Sequence, residues 1–160
     1  MNRIDKSFGN RRIKICLAFS AGGHFTEIKQ LLPSLENYAI CYATPFSIRT
    51  RSLENVYYLS DIDKHNLITV VIRDCALSLL ILVREKPDVV LTTGAFIVIP
   101  LCIFAKLAGR KVIYIETLAR ITSPSFTGRI LYHFSDLFLV QWKELLNSYG
   151  RKARYCGRVF

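Results

Sequence analysis

Short apolar runs recur through this chain, and within each run the hydrophobic residues are nearly consecutive. The runs are Ile13–Phe19 (IKICLAF), Ala39–Ala43, Val56–Leu59, Asp88–Thr92, Lys111–Ile115 (KVIYI), Leu137–Val140 and Ala153–Cys156. A strand with one wet face alternates apolar and polar residues, whereas a strand buried on both faces does not. These segments therefore read as strands covered on both sides, which requires helices between them. The sequence supplies Thr26–Leu35, Asn66–Glu85 ending before Pro87, Ala95–Ala108 closed by Gly109, Ser123–Phe134 and Lys143–Tyr149 capped by Gly150. Pro124 is expected at an early helix position. Glu27 is expected in a first helical turn, where the dipole favours an anion. The pattern predicts an α/β fold: a Rossmann-like open parallel sheet with helices on both faces. Residues 1–12 read as a basic leader, residues 13–160 as a single domain, and Pro45–Glu54 as a polar loop within it.

Composition narrows the partners. The 160 residues are 51% hydrophobic, which excludes disorder, yet 22 Lys+Arg against 12 Asp+Glu give a net charge of +10. A phospholipid surface or a lipid-linked phosphate answers both properties. Nucleic acid answers the charge alone, and no base-stacking or groove-reading motif accompanies it, so a nucleic-acid partner is not expected. Five scattered cysteines without CxxC spacing argue against a disulfide framework and against zinc, and place the chain in a reducing setting. No metal site is expected.

The leader has no apolar stretch before a cleavage site, so it is not a signal peptide. The uncharged run Val89–Ala105 contains Thr92-Thr93-Gly94 and Pro100, and reads as a strand followed by a helix. Leu67–Val83 carries Arg73 and Asp74 at its middle, where a charge costs about 2.5–3.5 kcal/mol in a bilayer. No transmembrane helix is expected. Helices 67–83 and 95–108, with basic ends that include Arg3, Lys6, Arg11, Arg12, Arg151, Lys152, Arg154 and Arg158, suit peripheral attachment to an anionic membrane.

Ligands of open α/β sheets bind at the carboxyl ends of the strands, and three polar clusters fall there. Ser20-Ala21-Gly22-Gly23-His24 follows the first strand. Its glycines allow close backbone approach, and the next helix offers free N–H groups to a phosphate, although a tight turn alone could also use them. His24 can serve as a base, a phosphate donor or a plain helix cap. Thr92-Thr93-Gly94 follows the fourth strand, with Gly94 opening the next helix. Glu116-Thr117-Leu118-Ala119-Arg120 follows KVIYI. A carboxylate there needs a partner or a use, and Arg120 can pair with it or bind an anion. His65 and His133 read as surface or packing residues.

Together with Phe138–Leu145 (FLVQWKEL), these clusters resemble the membrane-associated, acceptor-binding subunit of two-subunit glycosyltransferases. The matching stretches are SAGGHFTEIKQLL (20–32) and residues 92–157, with the IET-LAR, TGR-LY and VQW elements the most specific; the likeness covers about residues 13–157. One branch of the family is the anchor subunit of the eukaryotic enzyme that adds the second N-acetylglucosamine to dolichol-diphosphate-GlcNAc. The other is its bacterial exopolysaccharide and capsule counterpart, which the short leader favours. The glycine-rich loop is also similar to the acceptor loop of the peptidoglycan N-acetylglucosaminyltransferase.

The resemblance implies the N-terminal half of a split GT-B enzyme. It would bind a polyprenyl-diphosphate-linked sugar acceptor at the cytoplasmic face of the membrane. A separate small subunit of the C-terminal GT-B type would hold most of the UDP-sugar, and this chain would have no tightly bound cofactor. It would be inactive alone as a UDP-sugar-dependent hexosyltransferase (N-acetylglucosaminyl, glucosyl or galactosyl). Carried over, His24 and Glu116 are the candidate catalytic bases. Ser20, Gly22, Gly23, Thr26 and Arg120 would bind the acceptor diphosphate, and Thr93 and Gly94 would line the cleft. Two alternatives stand beside this expectation. One is a purely structural subunit that recruits and activates its partner at the membrane. The other is a stand-alone Rossmann nucleotide-binding enzyme, which would require GxGxxG after the first strand and an acidic end to the second; SAGGH and Tyr42-Ala43-Thr44 stand there instead.

Overall fold

The computed structural model describes residues 11–60 and 66–159. His65 and nearly all of the leader lie outside these residues. Seven strands form one sheet: β1 (Lys14–Ala18), β2 (Ala39–Pro45), β3 (Val56–Leu59), β4 (Val89–Thr92), β5 (Lys111–Ile115), β6 (Leu137–Val140) and β7 (Ala153–Tyr155). Their order is β3-β2-β1-β4-β5-β6-β7, every pairing parallel. The order reverses between β1 and β4, which is where such sheets open a crevice for ligands.

Alternate side chains feed two cores, as parallel strands buried on both faces require. Cys16, Ala18, Val90, Val112, Tyr114, Phe138 and Val140 enter the core under α2 (Leu67–Glu85), α3 (Ile99–Leu107), α4 (Phe126–Phe134) and α5 (Leu145–Tyr149). Ile15, Leu17, Phe19, Leu91 and Ile115 face the other way, against Phe25 and Ile28 of α1 (Gly23–Leu31). Register sets Cys16 beside Cys41. Their mutual hydrogen bond and burial push the Cys16 thiol well up, and burial alone pushes Cys102 to about 12, so these thiols remain protonated filler.

The amino ends of two strands are fastened by aspartates. Asp88 accepts from the Lys14 amide at 2.8 Å and pairs with Arg11, while Asp136 accepts from the Val112 amide at 2.9 Å and pairs with Lys106 and Lys111. Burial pushes the Asp136 carboxyl up, but the bonds from Lys106, Val112 and Lys111 outweigh it and hold the group at about 2.

Several helix boundaries differ from expectation. The helix expected at 26–35 begins at Gly23 and tightens to a 3₁₀ turn at Leu32–Leu35, around Pro33. Glu27 therefore lies beyond the first turn, inward and buried, and not at the dipole. The helix expected from Ala95 starts with a 3₁₀ turn at Phe96–Val98, because Gly94 (φ +119°) and Ala95 (φ +94°) both take left-handed backbone. Pro124 precedes α4, whose cap is Ser125. The last helix begins at Leu145, two residues after the expected Lys143.

Helix α2 is capped by Asn66, whose side chain accepts from the Thr69 amide at 2.8 Å, and it ends at Lys86 in the left-handed region. Its buried stripe is Val70, Asp74, Ser78 and Ile81. Its outward face carries Leu67, Ile68, Ile72, Leu79 and Val83, between 51% and 72% exposed. The helix therefore turns much of its grease away from the sheet. Among the described residues no helix is long and apolar enough to cross a membrane.

Candidate functional site

Three loops at the carboxyl ends of β1, β4 and β5 meet around a pocket of about 410 Å³. Gly23, His24, Gly94, Ala95, Tyr114 and Arg120 are among the residues that line it. Thr26, Glu27, Leu118 and Trp142 line an adjoining hollow, which shares Gly23, Thr117 and Ala119 with the first. The three clusters expected from sequence are thus neighbours in space.

The first loop leads into α1, whose N-terminus has no side-chain cap. Among the described residues nothing lies within 4 Å of where a Cβ would stand on Gly22 or Gly23. Crowding within the chain therefore does not require glycine at either place, and the space beside this backbone is open to a ligand. Thr26 is half-buried and accepts a hydrogen bond from Arg49 at 2.8 Å. Arg49, from the loop after β2, also donates to the Gly22 carbonyl at 3.2 Å and lies over the Phe25 ring. Ser20 is half-buried where β1 turns into this loop.

His24 sits on the first turn of α1 with 23% of its side chain exposed. Gly94 packs against its ring: a Cβ there would stand 3.0 Å from His24 Cε1 and 3.5 Å from the Tyr114 hydroxyl. Glycine at 94 thus meets two demands, a left-handed backbone and a close approach to the imidazole. Thr93 is buried, and its hydroxyl donates to the His24 carbonyl at 3.3 Å, tying β4 to α1.

Glu116 is fully buried beneath the pocket, and its oxygens accept five hydrogen bonds. The donors are the Tyr114 hydroxyl, the Thr117 amide, the Ser125 amide and hydroxyl, and the Tyr149 hydroxyl. Burial, then the bond to Glu116, pushes the Tyr149 hydroxyl strongly up; burial, then the Glu116 charge, does the same for Tyr114. Both phenols therefore remain donors. Among the described residues Glu116 forms no ion pair with Arg120, which is exposed and lines the pocket.

Two side chains that follow β6 hold the same loop from behind. Gln141 Nε2 donates to the Glu116 carbonyl at 3.1 Å, and Trp142 Nε1 donates to the Leu118 carbonyl at 2.8 Å. Gly128 packs so closely that a Cβ would overlap Tyr149, Glu116 and Ser125.

Glu27 and Arg49 were not among the site residues expected from sequence. Glu27 Oε1 accepts from the Leu118 amide at 2.7 Å and the Thr117 hydroxyl at 2.9 Å. Its spacing of three from His24 puts both on one helix face, which is the signal that could have found it. Arg49 left no such signal, lying in a polar loop 25 residues away. Among the described residues no group of three His, Cys, Asp or Glu side chains converges as metal ligands.

The family profile described as "Oligosaccharide biosynthesis protein Alg14 like" matches residues 39–159. The chain is 32% identical to the human protein named UDP-N-acetylglucosamine transferase subunit ALG14, over 92% of this chain and 83% of that one. It is 29% identical to the Yarrowia lipolytica protein of the same name, over 90% and 80%. In three dimensions it is similar to Acinetobacter baumannii MurG (TM-score 0.74, 14% identity, 91% of this chain and 45% of that one). It is also similar to the Rickettsia bellii UDP-N-acetylglucosamine 2-epimerase (TM-score 0.73, 13% identity, 93% and 46%). The chain thus spans just under half of each solved structure, and the shared part is the Rossmann-like half of a GT-B architecture. By both profile and pairwise identity, the chain belongs to the Alg14-like family.

Proposed function

We propose that this chain is the acceptor-binding half of a two-subunit, UDP-sugar-dependent glycosyltransferase. Its acceptor is a polyprenyl-diphosphate-linked sugar, presented at the cytoplasmic face of a membrane during lipid-linked oligosaccharide synthesis or its bacterial exopolysaccharide and capsule counterpart. A second small subunit of the C-terminal GT-B type brings the UDP-sugar. The observation that carries this reading is the pocket itself. It combines an imidazole, an uncapped helix N-terminus with open space beside two glycines, and an exposed arginine, all on half of a GT-B fold. The relatives' naming as transferase subunits supports it.

In this mechanism the α1 amides and Arg120 hold the acceptor diphosphate, as helix N-termini and guanidinium groups suit anions. His24 Nε2 takes the proton from the acceptor hydroxyl. That oxygen forms the new bond to the anomeric carbon while the bond from that carbon to UDP breaks, and UDP leaves with the electron pair. Glu116 shapes the loop that carries Arg120; its oxygens are already engaged, and it does not line the pocket.

The test is an assay of the chain co-expressed with a C-terminal-type subunit, using UDP-GlcNAc, UDP-glucose and UDP-galactose with a polyprenyl-diphosphate-linked sugar in vesicles. Transfer is expected with both subunits and absent with either alone. No transfer from any donor would overturn the assignment.

The membrane role rests on the outward apolar face of α2, with the apolar side chains of Phe46, Ile48, Ile121 and Phe126 exposed around the carboxyl end of the sheet. Arg49, Arg51, Arg73, Arg84 and Arg120 lie among them, also exposed. Liposome flotation is expected to carry the chain with vesicles containing acidic phospholipid. Ile68→Ser/Ile72→Ser/Val83→Ser should lower the vesicle partition coefficient about 100-fold, on the order of 1 kcal/mol lost for each side chain partly withdrawn from lipid. Equal flotation of the two proteins would remove α2 from the contact.

A further inference from the structure

Among the described residues, His24 Nδ1 and Glu27 Oε2 are both buried without a hydrogen-bond partner, and they lie 3.8 Å apart. Two orphaned polar atoms facing each other at the wall of a pocket are a hydrogen bond waiting for a small displacement. Glu27 is itself held in place. Its other oxygen is fixed by the Leu118 amide and the Thr117 hydroxyl, so Oε2 stays aimed along α1 toward the imidazole. Gly94 packs against the Cε1–Nδ1 edge of the ring and leaves it little room to turn. Since Nδ1 is the buried nitrogen, Nε2 is the nitrogen that meets the pocket.

We propose that Glu27 is the positioning carboxylate of His24: it holds the neutral imidazole as the Nδ1–H tautomer, so that Nε2 presents its lone pair to the acceptor hydroxyl. The proposal rests on His24 acting as the base in the transfer described above. A carboxylate only accepts hydrogen bonds, so the proton on the facing nitrogen must belong to the histidine. As the acceptor proton moves to Nε2, the imidazolium that forms keeps Nδ1–H on Glu27, and Glu27 stabilises the charge without taking the proton. Among the described residues, Tyr114 from β5 and Arg120 from the loop after it are the other titratable groups that line this pocket. Neither is hydrogen-bonded to Nδ1.

Glu27→Gln gives a sharp test. The glutamine carbonyl can keep the Leu118 amide bond while its NH₂ faces Nδ1. Nδ1 must then accept, and the proton is forced onto Nε2, where it blocks the base. Nitrogen chemical shifts of the histidine-labelled full chain, with His24 assigned from the spectrum of His24→Ala, report the tautomer directly. The expected result is Nδ1–H in the wild type and Nε2–H in Glu27→Gln. This readout needs neither partner nor substrate, so its failure is distinct from failure of the transferase assignment. In the co-expressed pair, kcat should fall about 10²-fold or more with KM changed by less than about 3-fold, as expected when an acid–base group is held in the wrong state. The same tautomer in both proteins would overturn the proposal. So would a tautomer that switches with kcat unchanged, or a loss confined to KM.

Discussion

Glu116→Ala is expected to lower the melting temperature by roughly 8–16 °C. The carboxylate accepts five hydrogen bonds in a fully buried position, two of them from the Thr117 and Ser125 backbone amides. Removing it strands those donors and leaves a cavity, together about 4 kcal/mol, and a chain of this size loses about 2–4 °C for each kcal/mol. Glu116→Gln should be nearly as damaging, since the amide places an NH₂ among groups that are themselves donors. Thermal unfolding followed by circular dichroism reads both. The family resemblance made Glu116 a candidate base, and this measurement separates the two roles. A variant that melts within about 2 °C of the wild type yet fails in the transfer assay would return Glu116 to the chemistry.

His24→Ala should show the converse. Its ring is partly exposed and makes few contacts beyond Gly94 and Glu27, so the melting temperature should move by less than about 3 °C. Sugar transfer by the co-expressed pair should fall about 10²-fold or more, the usual loss on removing an acid–base group. The decrease should appear in kcat, because a base acts in the transition state while the diphosphate contacts that set acceptor binding remain. Full activity in this variant would remove His24 from the mechanism and leave the chain as a subunit that recruits and activates its partner.

The strands were legible because burial on both faces writes itself into the sequence as nearly unbroken apolar runs; β3, β5 and β6 begin and end where expected. The helix starts were less so. Gly23 is a poor helix former and conceals the first turn of α1, which moved Glu27 from the helix dipole to the protein interior. Ser125 caps α4 because its hydroxyl serves both the Gly128 amide and Glu116, a double role that depends on a neighbour nine residues away.

The site was legible as three clusters but not as a network. Nothing in VQW announces that Gln141 and Trp142 grip the backbone at residues 116 and 118. Nothing near Thr117 or Leu118 announces Glu27, some 90 residues earlier. Such contacts depend on strand order, which local pattern does not encode.

The paired aspartates at the amino ends of β4 and β6 have a consequence for how such a chain can change over time. Asp88 and Asp136 anchor the strand starts through backbone amides and lysine or arginine partners, at the opposite end of the sheet from the pocket. The foundations are therefore secured independently of the loops above them. Residues such as Arg49, Phe126 or Arg120 can be exchanged, and a different acceptor accommodated, while the strand register below is preserved. The architecture separates the part that must stay constant from the part that is free to diversify.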